Sequence, residues 1–172
     1  IKNILPCPRV YAGAPWRIRT QLTRRADNLA LSYQTLGRLE DASQMYRDVY
    51  SGRVKHNGEE DRVTLIAALN YAISLVCLKR FEEAKSLLRK VMPVARRVLG
   101  DTHDHTLRMR EIYARALYYD PDATLDALRE AVATHEDTER IAHPITKGIE
   151  NELRDARAAL RARENAATVD PD

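Results

Sequence analysis

Three histidines stand near carboxylates in an arrangement that could serve a metal. His103 and His105 flank Asp104 and follow Asp101, and His143 lies further along. A metal site needs three or four ligands at fixed spacing, and no Cys or second His cluster completes this set. Cys7 precedes Pro8, with no His and no second Cys nearby. It lacks the electropositive pocket and the base that a nucleophilic thiol needs. The chain has two cysteines, Cys7 and Cys77, which excludes a disulfide scaffold and a four-cysteine zinc site. A glycine-rich phosphate loop, a Gly-x-Ser-x-Gly elbow and a His-Glu-x-x-His pair are all missing. The carboxylate pairs Glu59-Glu60 and Glu82-Glu83 fall at expected helix starts, where negative charge complements the helix dipole. The expectation is a protein that is not an enzyme and takes neither a metal nor another cofactor.

Two arginine clusters could touch phosphates. The first is Arg17, Arg19, Arg24 and Arg25, and the second is Arg154, Arg157, Arg161 and Arg163. Glu150, Glu152, Asp155 and Glu164 interleave the second, which reads as a solvated helix face. The whole chain has 28 Lys and Arg against 25 Asp and Glu, a net charge of +3 that gives nucleic acid no electrostatic case. Aromatic residues are 6% of the chain, too few to offer stacking platforms for bases. Hydrophobic residues at 44% and charged residues at 31% favour folding over disorder. No apolar run approaches the roughly 20 residues that span a bilayer. The expected location is intracellular and cytoplasmic. An organelle stays open, because the chain lacks an initiator Met and reads as a processed form or a fragment.

The remaining pattern is a repeat. Asn28-Leu29-Ala30-Leu31-Ser32-Tyr33 returns 42 residues later as Asn70-Tyr71-Ala72-Ile73-Ser74-Leu75. Gly37-Arg38-Leu39-Glu40-Asp41-Ala42 returns at the same offset as Lys79-Arg80-Phe81-Glu82-Glu83-Ala84, and Gly58 returns as Gly100. Ile112-Tyr113-Ala114 begins a third copy, and His143-Pro144-Ile145-Thr146 a fourth, with the third unit two residues short. Chance similarity would not keep one phase. Each unit reads as two helices. In the second, Leu65, Leu69, Ala72, Ile73 and Val76 recur at helical spacing, then Phe81, Ala84, Leu88, Val91, Ala95 and Val98. Pro93, aligned with Ser51, predicts a local kink. The last helix carries Ile145, Ile149, Leu153, Ala156 and Leu160. The reading is an all-α, α-α superhelix: three helix pairs and a closing helix. The units span about 17–58, 59–100 and 101–140, with the closing helix at 143–165. Residues 1–16 form an extended, Pro-containing segment, and 166–172 form a tail.

Leu-Ala-x-x-Tyr, then Gly, then Ala resembles a tetratricopeptide repeat, and the 42-residue period resembles its kinesin light chain type. Gly100-Asp101-Thr102-His103-Asp104-His105-Thr106 and His143-Pro144-Ile145-Thr146 are similar to that type's linker, with Asp104 in place of Pro. The resemblance covers residues 20 to 163. It implies a curved solenoid in which a linker His braces a helix start and the first helices line a groove. Ala30, Ala72 and Ala114, with Ala42 and Ala84 opposite, would let the helices approach closely; a larger side chain there costs roughly 1–3 kcal/mol.

Mapped onto that groove, the candidate residues are Arg24, Asp27, Asn28, Leu31, Ile66, Leu69, Asn70, Ile73, Val76, Arg108, Glu111 and Arg115. Gln34, Thr35, Cys77, Tyr118 and Tyr119 stand beside them. An apolar centre with polar and basic rims suits a protein partner. The expected function is a non-catalytic adaptor or scaffold that binds an extended or helical segment. Asn28 and Asn70 would hold its backbone, as the resemblance implies, and Arg24, Arg108 and Arg115 would favour acidic flanks. The same phases also fit Ile66, Leu69 and Ile73 packed between helices. A structural subunit of a large multi-subunit complex, docked through outer faces and residues 1–16, is the alternative reading. A nucleic-acid binder is the weakest.

Overall fold

The computed structural model describes residues 28–33, 35–141 and 149–169, with backbone alone at 149–153 and 166–169. Among the described residues every regular element is helical. Residues 28–33 are the described part of α1. It is followed by α2 (Leu39–Asn57), α3 (Arg62–Cys77), α4 (Phe81–Leu99), α5 (Asp104–Tyr118), α6 (Leu125–Glu139) and α7 (Ile149–Val169). The chain is an all-α solenoid of paired antiparallel helices. Each helix from α2 onward packs on its chain neighbours, and α3 also packs on α5 and α5 on α7. The odd-numbered helices therefore form one layer, and the even-numbered ones lie outside it. Neighbours that meet across a whole unit lie on the shorter arc, so the odd layer is the inner one.

Local chemistry sets the boundaries. Asp61 caps α3 by accepting from the backbone N–H of Val63 and of Thr64, each at 3.0 Å. His103 caps α5 with Nδ1, which accepts from the His105 N–H at 3.2 Å, and Thr124 caps α6. The linker histidine is thus a helix brace. Neither α2 nor α4 has a side-chain cap, and each uses a repeated clasp instead. Arg38 pairs with Asp41 at 2.7 Å, and Arg80 pairs with Glu83 at 2.6 Å. Gly58 and Gly100 follow α2 and α4 with φ of 87° and 102° and extended ψ, a region essentially confined to glycine.

The core follows the repeat. Ala30, Ala42, Ala72, Ala84 and Ala114 are all fully buried, where the paired helices approach. The main cluster joins Leu65, Leu69, Leu88, Val91, Met109 and Ile112. Val98, assigned by spacing to the buried face of α4, is exposed near the helix end. Helix α4 continues through Pro93, whose side is exposed. Helix α7 continues to Val169, past the expected end at 165, because Ala166 and Ala167 are strong helix formers.

Candidate functional site

Helix α3 lies in the middle of the inner layer, between α2 and α4 and against α5. Thr64, Leu65, Ala67, Ala68, Leu69, Ala72, Ser74 and Leu75 are all buried. Arg62 and Val63 are exposed at the helix start, and Tyr71 and Val76 are half-buried. One stripe runs along the helix at spacings of four, three and four: Ile66, Asn70 and Ile73, each half-buried, and Cys77, exposed. The same phase of α1 gives Asn28, Leu31 and Thr35, all exposed, with Leu31 at 55%. In α5 it gives Arg108, exposed, Arg115, half-buried, and Tyr119, exposed. Ile112 interrupts the α5 stripe, because its side chain is taken into the core. The inner layer thus presents Leu31, Ile73 and Arg115 at equivalent positions of three successive helices, with Ile66 and Arg108 aligned beside them.

Two candidates lie elsewhere. Leu69 is 4% exposed and packs in the main core. One residue of helix turns the side chain by about 100°, so Leu69 points away from the stripe that holds Asn70. Val76 is half-buried and packs against two core clusters, so it borders the stripe from the core side. Arg24, Asp27 and Gln34 lie outside the described residues, as do His143 and the first arginine cluster. Glu111 is buried between two cations, 3.3 Å from Arg108 and 3.7 Å from Arg115. This trio carries one net positive charge. The rings of Tyr118 and Tyr119 stand 4.7 Å apart at the end of the same helix.

Three further features were not assigned from the sequence. The Lys85 ammonium, with its side chain 7% exposed, donates to Asp120 at 2.7 Å and to Glu82 at 2.6 Å. Burial alone would lower its pKa, but those two carboxylates carry it above the usual lysine value. The hydrogen bond from Lys85, and then the N–H of Asp122, hold the Asp120 carboxyl below the usual range against its own burial. A cavity of about 210 Å³ opens beside them, lined also by Arg89, Asp122 and Thr124. Its lining carries the carboxylates of Glu82, Asp120 and Asp122 against the cations of Lys85 and Arg89, one net negative charge. His135 is 1% exposed, and neither ring nitrogen has a hydrogen-bond partner among the described residues. Burial, and then the charge of Arg115, push its pKa down to about 4. Its place on the buried stripe Leu128, Ala131, His135, Thr138 was readable from helical spacing.

The candidates for other chemistry are engaged locally. Among the described residues no group of three His, Cys, Asp or Glu could hold a metal. Burial, the adjacent His103 and Arg62 lower the His105 pKa. Glu59 pairs with Lys90 and Glu60 with Arg97, so these carboxylates tie the α2–α3 turn to α4. In the second arginine cluster Arg157 binds Glu136 at 2.7 Å, and Arg163 donates to the carbonyls of Ala123 and Pro121. No helix among the described residues is long and apolar enough to cross a membrane.

Residues 63–141 match a family model described as Tetratricopeptide repeat, and residues 22–62 match another of the same description. No curated protein matches. A similar solved structure is the crystal structure of BtubC (BKLC) from P. vanneervenii, at 16% identity and a TM-score of 0.47. That match covers 81% of this chain and 65% of the other, so the chain spans less than two thirds of that structure's length.

Proposed function

We propose that the tetratricopeptide-repeat region formed by residues 22–141 is a non-catalytic protein-interaction module. It holds a segment of a partner protein along the inner layer. The observation that carries this reading is the half-open stripe Ile66, Asn70, Ile73, Cys77 along an inner helix that buries eight of its 16 residues. Ile73 also packs against the main core, and a partner that covers the part of Ile66 and Ile73 left in water gains roughly 25 cal/mol per Å² of apolar surface. Asn28 and Asn70 offer side-chain amides to a partner backbone. Arg108 and Arg115, sharing one Glu111, favour an acidic flank, and salt weakens that contribution. The 42-residue phase and the Gly-to-Thr linker favour the kinesin light chain-like subtype, and a cytoplasmic setting suits such an adaptor.

The test is retention of proteins from native extract by the whole chain, with Ile73→Asp and Ser86→Asp in parallel. Ser86 is exposed on α4 in the outer layer. Circular dichroism checks that both variants keep their helices. Loss of one partner with Ile73→Asp and its retention with Ser86→Asp supports the inner stripe. Retention by both sinks this reading and favours a structural subunit docked through its outer faces.

A further inference from the structure

The two inner helices α1 and α3 carry matching sequences 42 residues apart, yet they differ in cover. Leu29, Ser32, Tyr33 and Leu36 fall at helical spacing on one side of α1 and its following turn. Their counterparts are Tyr71, Ser74, Leu75 and Leu78. Ser74 is 2% exposed and Leu75 is fully buried, whereas Ser32 is exposed and Tyr33 only half-buried. Leu78 is half-buried, whereas Leu36 is 73% exposed, the most open of the large apolar side chains described. Helix α2 covers α3 at Ser74, whose hydroxyl donates to the Ser43 hydroxyl at 3.2 Å, whereas Leu75 packs with Phe81, Ala84 and Ala116 of α4 and α5. Tyr33 packs on Ala42 and Tyr46 of α2, and among the described residues no helix covers Ser32 and Leu36.

We propose that residues 1–16 of this chain cover α1 and its following turn over Ser32 and Leu36, and so close the open end of the solenoid. The segment Ile1 to Trp16 has the composition for it. Ile4, Leu5, Val10, Tyr11 and Trp16 supply apolar surface. Pro6, Pro8 and Pro15 lack N–H groups, so an extended chain lying on an apolar face leaves fewer donors unmet. Reach is ample: 16 extended residues span about 50 Å, against about 9 Å for the six residues 28–33. A second copy of the chain is a poorer occupant. The open patch is on the order of 200 Å², far short of the about 1,200 Å² of a stable interface.

Trp16 is the one tryptophan of the chain, so its fluorescence reports on the segment directly. In the full chain its emission should be blue-shifted and shielded from acrylamide, to the same degree at every dilution. Leu36→Asp should shift the emission to the red and raise quenching several-fold, with helical circular dichroism retained. Leu36→Ala, which leaves the turn intact, should move both readings in the same direction by less. Ile73→Asp, on the inner stripe, should leave them unchanged. Four results overturn the proposal. They are a Trp16 open to quencher in the parent chain, shielding that fades on dilution, shielding relieved by Ile73→Asp and not by the Leu36 variants, and no response to either Leu36 variant. Fading on dilution would assign the patch to a second copy, and relief by Ile73→Asp would put the segment on the inner stripe.

Discussion

The junction where α2 meets α3 and the one where α4 meets α5 are built on one plan and closed by different chemistry. At the first, Ser43 is 2% exposed and accepts from Ser74, while the turn residue Leu78 is apolar. At the second, the residue 42 beyond Ser43 is Lys85, and the residue 42 beyond Leu78 is Asp120. These two form an ion pair at 2.7 Å with side chains 7% and 10% exposed. A third junction is made by α6, which packs between α5 and α7, buries His135 and Thr138, and is clasped to α7 by Arg157–Glu136 and Arg129–Glu164. The backbone repeats faithfully, and polarity rises along the array. A hydroxyl pair tolerates loss of either member. A buried ion pair does not, because one member alone is an uncompensated charge in a dry site.

The largest expected effect breaks the second junction and spares the first. Asp120→Ala leaves Lys85 with Glu82 as its one carboxylate partner and should lower unfolding stability by about 3 kcal/mol, read by chemical denaturation. Ser74→Ala should cost only about 1 kcal/mol. Equal losses would erase the distinction between the two junctions. Replacing both charges, as Lys85→Met with Asp120→Leu, should recover most of the loss. The Asp120 carboxyl is held below its usual range in the fold. Its contribution is therefore present above that range and is lost as pH falls through it.

The third junction should show in acid. The His135 imidazole titrates at about 4 when folded, against an ordinary 6.5. The unfolded chain therefore takes up its proton first. Stability is full above pH 6.5, falls between 6.5 and 4, and levels off below. The expected loss is roughly 3 kcal/mol over that window. His135→Leu should remove that dependence and stabilise the protein at neutral pH by about 1–3 kcal/mol, since two unmet ring nitrogens disappear. A variant less stable than the parent at pH 7.5, or an unchanged acid profile, would refute this account of the junction.

The smallest effects lie at the linkers. Asp61→Ala removes an acceptor used by two backbone N–H groups, and should cost about 1 kcal/mol or slightly more. His103→Ala removes an acceptor used by one, at a longer distance, and should cost less. Thermal melts of the pair rank them, and the reverse order would show that the two linkers are not braced as described. Lys90→Ala, which opens the exposed pair with Glu59, should change stability by less than about 1 kcal/mol.

Much of this protein was legible from residue types and spacing. Helix pairs, their period and the fully buried alanines follow from patterns that survive one residue at a time: a small residue at a close approach, an apolar side every three or four positions, a glycine where φ must be positive. The half-open stripe through Ile66, Asn70 and Ile73 was legible to within one step of helix phase, and Leu69 fell on the wrong side of that step. What the spacing could not carry were decisions made between elements. Lys85 and Asp120 stand 35 residues apart, and each alone reads as a solvated surface charge. Stacking α4 against the turn after α5 takes both largely out of water and brings them into one ion pair, with Glu82 as the second partner of Lys85. Likewise Leu36 and Leu78 occupy equivalent places in the repeat, yet the fold leaves one open to water and the other half-buried. Periodicity determines which side of a helix seeks cover. Whether cover is there, and whether a buried charge finds its partner, is decided by how the helices stack.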